Sequence, residues 1–139
     1  MRKIMIVDDN YLSAEGIEKN IDWEVLNAEI VHICYNGTSA IDAMKKEPVD
    51  LIISDIEMPD LDGISMSRQA LDINPMVKII LISAYDKFEY ARRALLLGAL
   101  DYIEKPLDYA YLIQKVKNAF ALMEREQKNL QLLKQSRPL

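Results

Sequence analysis

Apolar residues gather in five short runs along the chain, at residues 3–7, 29–34, 50–54, 77–82 and 99–103. Three of the runs are nearly continuous in Ile, Val, Leu and Met, with no polar alternation. That pattern suits parallel strands covered on both faces. The fifth run, Ala99-Leu100-Asp101-Tyr102-Ile103, is less regular and suits an edge position. Between the runs, apolar residues recur at helical spacing. Leu12 and Ile17 lie in residues 11–20, Ala40, Ile41 and Met44 in residues 38–46, and Ile64, Met66, Ala70 and Leu71 in residues 64–73. Phe88, Ala91 and Leu95 lie in residues 86–97, and a longer helical pattern starts at Leu107. Gly98 is placed to end a helix, Pro48 and Pro75 precede strands, and Asn36-Gly37 reads as a turn. Strand–helix alternation repeated five times predicts an α/β domain with a doubly wound parallel sheet.

The length of 139 residues suits one such domain, since halves of it would bury poor cores. The longest apolar run falls far short of the roughly 18 residues that span a bilayer, and the run at the N-terminus stops at Asp8, so no membrane span or secretory signal is expected. A cytoplasmic location follows as the expectation. The only cysteine, Cys34, has no partner for an internal disulfide and reads as a small buried residue. The formal net charge of −5 argues against a free-standing nucleic-acid binder. The charge is uneven: residues 1–120 hold 13 basic and 20 acidic side chains, net −7, whereas residues 121–139 hold four and two, net +2.

In a sheet of this kind ligands bind beyond the carboxyl ends of the strands. The first run is followed by Asp8-Asp9-Asn10, the third ends in Ser54-Asp55, the fourth is followed by Ser83-Ala84 and the fifth by Glu104-Lys105-Pro106. Three carboxylates, a hydroxyl and an ammonium therefore share one sheet edge. Crowded carboxylates repel and need counter-charge, which Lys105 and a divalent ion supply. Few oxygen ligands suit Mg²⁺, which keeps several waters. A carboxylate can also be the nucleophile of phosphoryl transfer, with a hydroxyl and an ammonium as partners for the transferred oxygens. Taken singly, each feature has an ordinary reading: Asp8-Asp9 as a helix cap, Asp55 to Pro59 as a turn, Ser83 as a cap, Lys105 as a solvated side chain. Their joint occurrence at four strand ends favours the chemical reading.

The motifs Val7-Asp8-Asp9-Asn10, Asp55-Ile56-Glu57-Met58-Pro59-Asp60-Leu61-Asp62-Gly63, Ser83-Ala84 and Lys105-Pro106, in this order, resemble those of the receiver domain of bacterial two-component response regulators. The stretch Ser83-Ala84-Tyr85-Asp86-Lys87-Phe88-Glu89-Tyr90-Ala91 looks most like receivers joined to an AraC-type helix-turn-helix output domain. The resemblance implies a flavodoxin-like sheet of order 2-1-3-4-5 with five helices, the last extended. It implies that Asp55 takes a phosphoryl group from a sensor histidine kinase in a Mg²⁺-dependent step. Asp9 then binds Mg²⁺ directly, Asp8 assists partly through water, and Asp55 and the Glu57 backbone carbonyl complete the protein ligands. Ser83 and Lys105 contact the phosphoryl group, Tyr102 is the switch aromatic that turns inward, and the Lys105–Pro106 bond is cis. The Glu57 and Tyr85 side chains flank the phosphoryl site without an assigned role. The protein is then a phosphoacceptor that assists its own phosphorylation and dephosphorylation, not a classical enzyme. A haloacid-dehalogenase-type phosphatase would place a second acid where Glu57 stands, but its motif order does not fit Asp8-Asp9 preceding Asp55. Intact Asp9, Asp55 and Lys105 argue against a receiver that only binds partners.

Residues 1–123 are expected to form the receiver and residues 124–139 a linker helix toward an output domain that is absent from these residues. Leu112, Val116, Ala119, Met123, Leu130 and Leu133 follow spacings of four and three, a heptad-like seam interrupted at Glu126. The expected partners are the kinase and a second copy in a phosphorylation-dependent homodimer, with DNA reached only through the output domain. His32 inside a strand and Trp23 before the second strand read as structural residues.

Overall fold

The computed structural model describes residues 1–84 and 88–135, and ten elements alternate along these described residues. They are β1 (Arg2–Val7), α1 (Tyr11–Asn20), β2 (Ala28–Cys34), α2 (Gly37–Lys46), β3 (Leu51–Asp55), α3 (Gly63–Ile73), β4 (Lys78–Ser83), α4 (Phe88–Leu97), β5 (Asp101–Glu104) and α5 (Tyr109–Gln135). The five strands form one parallel sheet in the order β2-β1-β3-β4-β5, so the doubly wound reading holds and the irregular fifth run is indeed an edge strand.

The unbroken apolar runs have a direct cause. Successive strand residues point to opposite faces. Ile4, Ile6, Leu51, Ile53, Ile80 and Ile82 pack with Ala14 and Ile17 of α1 and Leu112, Val116, Ala119 and Met123 of α5. Met5, Val7, Ile52, Ile79 and Leu81 face the other way, against Ala40, Ile41 and Met44 of α2 and Ile64, Met66 and Ala70 of α3. With helices on both faces, the strand positions in the sheet centre are apolar except for Ser54, whose buried hydroxyl donates to the Asp55 carbonyl at 2.8 Å. Each fully buried Ile or Leu is worth about 1.5–3 kcal/mol of transfer free energy, so these two layers hold the sheet edge that carries the polar residues.

Local signals set the boundaries. Asn10 caps α1, accepting from the Leu12 and Ser13 N–H groups at 3.0 and 3.2 Å. Asp62 caps α3 through Ser65 N–H at 2.8 Å, and Asp108 caps α5 through Ala110 N–H at 2.9 Å. Gly98 ends α4 with φ of +91°, a left-handed conformation that favours glycine. The Lys105–Pro106 peptide is cis, as expected. Trp23 is buried and its indole N–H donates to the Ile17 carbonyl at 3.3 Å, Cys34 is a buried free thiol, and His32 contacts the Glu47 carbonyl at 2.9 Å within β2.

Three expectations are corrected, and the seam of α5 is located. Asn36-Gly37 is not a turn: Asn36 caps α2, accepting from Ser39 N–H at 2.7 Å, and Gly37 is the first helical residue. Leu12 is 79% exposed, and Ala14 replaces it beside Ile17 on the buried stripe of α1. The strands β3, β4 and β5 run one residue further than their apolar runs, so Asp55, Ser83 and Glu104 end strands instead of starting loops. Backbone pairing continues there although the side chains turn polar, with Asp55 paired to Ile82 and Ser83 to Glu104. In α5 the seam divides: Leu112, Val116, Ala119 and Met123 are core, whereas Leu130 and Leu133 are exposed. Glu126, the break in the seam, pairs with Lys78 at 2.8 Å, so contact with the globule continues past Met123. The Phe88 and Leu95 side chains and Tyr85 lie outside the described residues.

Candidate functional site

The strand order reverses between β1 and β3, where β1 leads to its helix on one side and β3 to its helix on the other. A crevice opens at such a switch point. The Asp8 N–H donates to the Cys34 carbonyl at 3.0 Å, prolonging the β1–β2 pairing by one residue and burying Asp8. Its Oδ1 accepts from Asn10 N–H at 2.9 Å, which fixes the turn into α1 and leaves Asp9 exposed to solvent. Asp55 ends β3, buried, and its Oδ1 accepts from Glu57 N–H at 3.4 Å. From β5, the Lys105 N–H donates to the Ser83 carbonyl at 2.7 Å. That bond aligns the next turn, and the Lys105 ammonium lies 3.2 Å from Asp55 Oδ2 and 3.6 Å from Asp8 Oδ2.

One oxygen each from Asp8, Asp9 and Asp55 lie within 4.8 Å of one another. Against one ammonium, three carboxylates leave a local charge of −2. Burial pushes the Asp8 carboxyl up from its ordinary value; the Asn10 N–H opposes this and the Asp55 charge adds to it. Partial burial disfavours the Lys105 ammonium, but the Asp55 and Asp8 carboxylates outweigh it and hold its pKa above that of a free lysine. The donor set is all oxygen and its excess charge is that of one divalent ion, so the residues present fit Mg²⁺. The Ser83 hydroxyl is fully buried and has no hydrogen-bond partner among the described residues. A buried hydroxyl left so costs about 1–3 kcal/mol, and such a group in a site has a partner to gain.

Of the residues the sequence singled out, Asp8, Asp9, Asp55 and Lys105 come together directly. Ser83 stands on β4, one residue beyond the Asp55 pairing partner. Glu57 is exposed and follows Asp55 by two positions. Tyr102 is half-buried on β5, packed against the α2–α3 side of the core and lining a surface groove with Glu104, Pro106 and Tyr111. A second crevice of about 340 Å³ flanks the site between α1 and the β5–α5 connection, lined by Asp8, Ser13, Ile17, Lys105, Leu107 and Tyr109.

Two features escaped the sequence. Tyr11 and Tyr35 stack with ring centroids 4.0 Å apart, joining the β1–α1 and β2–α2 turns beside the acidic group. Their 24-residue separation carries no local pattern. Asp60 accepts from Gly37 N–H at 3.3 Å and Thr38 N–H at 3.0 Å, closing the start of α2 from a loop more than 20 residues away. The Thr38 hydroxyl first, then its N–H, hold the Asp60 carboxyl well below the usual carboxylate range. A carboxyl whose folded pKa lies below its unfolded value adds stability above the ordinary value of 3.8, and the gain is lost as pH falls through that value toward the folded one. Urea unfolding should therefore show Asp60→Asn less stable than the parent by a constant amount from pH 7 to about 5, with the two converging below pH 3.8. A gap independent of pH would mean that the Asp60 charge is not what holds the helix start.

A family model described as the response regulator receiver domain matches residues 4–117. The transcriptional regulatory protein YesN of Bacillus subtilis, itself described as uncharacterised, is 29% identical over 126 residues, which cover 91% of this chain and 34% of that protein. The chain thus spans about a third of the length of this relative. Among solved structures, the REC domain of AraT, a response regulator from Geobacillus stearothermophilus, aligns with a TM-score of 0.85 and 34% identity, covering 91% of this chain and 98% of that one. A two-component transcriptional regulator AraC from Clostridium phytofermentans aligns with a TM-score of 0.81 and 29% identity, covering 93% and 99%.

Proposed function

Because this chain belongs to the family of response regulator receiver domains, we propose that it is a phosphoryl-operated switch in which Asp55 is the acceptor. The observation that carries the reading is the buried hydroxyl of Ser83, without a partner among the described residues, on the strand next to a carboxylate already engaged by Lys105. A phosphoryl group on Asp55 brings new acceptor oxygens into this space, and Ser83 and Lys105 are the donors for them.

The donor is the phosphohistidine of a sensor kinase. An Asp55 oxygen attacks phosphorus, the P–O bond forms as the P–N bond breaks, and the imidazole leaves with its electron pair and takes up a proton. Asp9, Asp8, Asp55 and the Glu57 carbonyl are the groups that would hold Mg²⁺, which supplies positive charge to the phosphoryl oxygens. Lys105 then exchanges its ion pair with the Asp55 carboxylate for one with the phosphoryl group. Ser83 moves to that group and Tyr102 turns into the space it leaves, which remodels the face formed by α4, β5 and α5. The ligand roles rest on the mutual approach of the three carboxylates.

The receiver occupies residues 1–123 in this reading, and residues 124–139 lead toward an output domain. YesN and the Clostridium phytofermentans protein are named as transcriptional regulators, which supports control of transcription through such a domain; self-association on phosphorylation belongs to the same proposal. A kinase that draws on ATP places this work in the cytoplasm. Among the described residues no helix is long and apolar enough to cross a membrane.

The test is uptake of phosphate from acetyl phosphate, read by intact mass. One phosphoryl group per chain is expected, with Mg²⁺ required, and hydroxylamine should release it as phosphate and leave a hydroxamate on the carboxyl carbon, as for an acyl phosphate. No uptake, or equal uptake in excess EDTA, would overturn the reading. Continuous turnover of small phosphate esters would point instead to a phosphatase.

A further inference from the structure

We propose that Asp60 is a positioning residue for the acidic site, acting as a staple that holds the β3–α3 loop against the start of α2 and so keeps Asp55 and the Glu57 backbone in register with Asp8 and Asp9. The inference rests on the receiver reading and extends it to a residue that lies outside the acidic group itself.

The loop of residues 56–62 is fastened at both ends by its own neighbours. Gly63 N–H donates to the Ile56 carbonyl at 2.8 Å, and Asp62 caps α3. Its middle has one buried side chain, Met58, between the exposed Glu57 and Pro59. Met58 and Leu61 pack this stretch on the core, and its polar tie sideways is Asp60, whose two carboxylate oxygens take the first two N–H groups of α2. Next to it, the Leu61 backbone packs so closely on Gly37 that a Cβ there would run into the Leu61 carbonyl oxygen.

Helix α2 already has a local cap. Asn36 accepts from Ser39 N–H, which satisfies one of the orphan donors of the first turn. The N–H groups of Gly37 and Thr38 remain, and their acceptors come from a carboxylate 22 and 23 residues away. The positive end of the helix favours that negative charge. Two caps therefore serve one helix, and they differ in what else they hold. Asn36 joins α2 only to its own preceding residue. Asp60 joins α2 to the loop that leaves Asp55, and the Glu57 N–H of that loop lies against the Asp55 carboxylate.

The pair gives a matched comparison. Asp60→Ala and Asn36→Ala each remove a cap of the same helix, but only the first frees the loop. In metal-free protein, amide hydrogen exchange over residues 56–60 should accelerate at least about fivefold in Asp60→Ala and stay at the parent rate in Asn36→Ala. Mg²⁺ affinity by calorimetry should fall about tenfold in Asp60→Ala, as for the loss of a group that orients metal ligands, and change less than twofold in Asn36→Ala. Asp60→Asn retains one acceptor oxygen and should fall between, and it carries the comparison if the alanine variant fails to fold. Parent-like exchange and affinity in the Asp60 variants, or equal losses in the Asn36 variant, would overturn the staple. If the parent protein takes up neither Mg²⁺ nor a phosphoryl group, the receiver reading fails instead, and the exchange data still judge the staple separately.

Discussion

Replacing Asp55 by Asn is expected to abolish phosphoryl uptake from acetyl phosphate and to make the metal-free protein more stable. The amide has no carboxylate to attack phosphorus, so the phosphorylated peak should fall at least about 100-fold, to the detection limit, in keeping with the loss of a covalent nucleophile. The stability gain follows from the charges. At the 4.8 Å that bounds the carboxylate separations, each repulsion is worth about 3.5 kcal/mol with an effective dielectric of 20. The attraction to Lys105 at 3.2 Å is worth about 5 kcal/mol on the same footing. Losing two repulsions and one attraction leaves a net relief of about 2 kcal/mol. Urea unfolding in EDTA measures it, and the stabilisation that added Mg²⁺ gives the parent should shrink in the variant. An undiminished phosphorylated peak would place the acceptor elsewhere. A variant less stable than the parent would mean that the site is not charge-strained.

Gly63→Ala should destabilise the protein by about 3 kcal/mol, near the upper end of the cost of forcing extra atoms into a packed interior. A Cβ at Gly63 would collide with the Asp55 carbonyl oxygen and approach the Ile56 Cα, and both are backbone atoms. Neither yields easily, because Asp55 is paired to Ile82 and the Ile56 N–H donates to the Ile82 carbonyl at 3.0 Å. The Gly63–Ile56 hydrogen bond would be strained by the same displacement. Gly98→Ala is the contrast. Its Cβ meets nothing within 4 Å, and only the left-handed backbone at φ +91° opposes it, at a cost of about 1–2 kcal/mol. Denaturant midpoints should separate the two, with Gly63→Ala the lower. A smaller loss at Gly63 than at Gly98 would show that the end of β3 gives way more easily than its pairing implies.

The apolar runs revealed the sheet because burial on both faces leaves no choice of residue at strand centres, as at Ile52 and Ile53. They misplaced the strand ends at Asp55 and Ser83 because backbone pairing there does not depend on side-chain polarity. The acidic group was legible because Asp8, Asp9, Asp55 and Lys105 each follow a recognisable run and the fold brings strand ends together. Asp60 was visible as a letter of the motif but not as a staple, since its partners Gly37 and Thr38 are backbone donors of a distant helix. Asn36-Gly37 was read as a turn because the same two residue types also open helices. In α5 the four-three spacing marked Leu112 to Leu133 as a single stripe, and nothing in the spacing shows where the sheet stops covering it.

That stripe makes α5 a shaft that transmits angle as well as length. Its 27 residues span about 40 Å at 1.5 Å per residue. One end is keyed to the sheet by Leu112, Val116 and Ala119, and the Lys78–Glu126 pair holds it again further along. One residue inserted between Glu126 and Leu130 would lengthen it by only about 1.5 Å, yet would swing Leu130 and Leu133 by about 100° around the axis. Two such insertions would turn them nearly to the opposite side, whereas seven, close to two full turns, would restore their bearing. The exposed leucines thus have a compass direction fixed by the core of the sheet, and it is this heading that any surface meeting them must match.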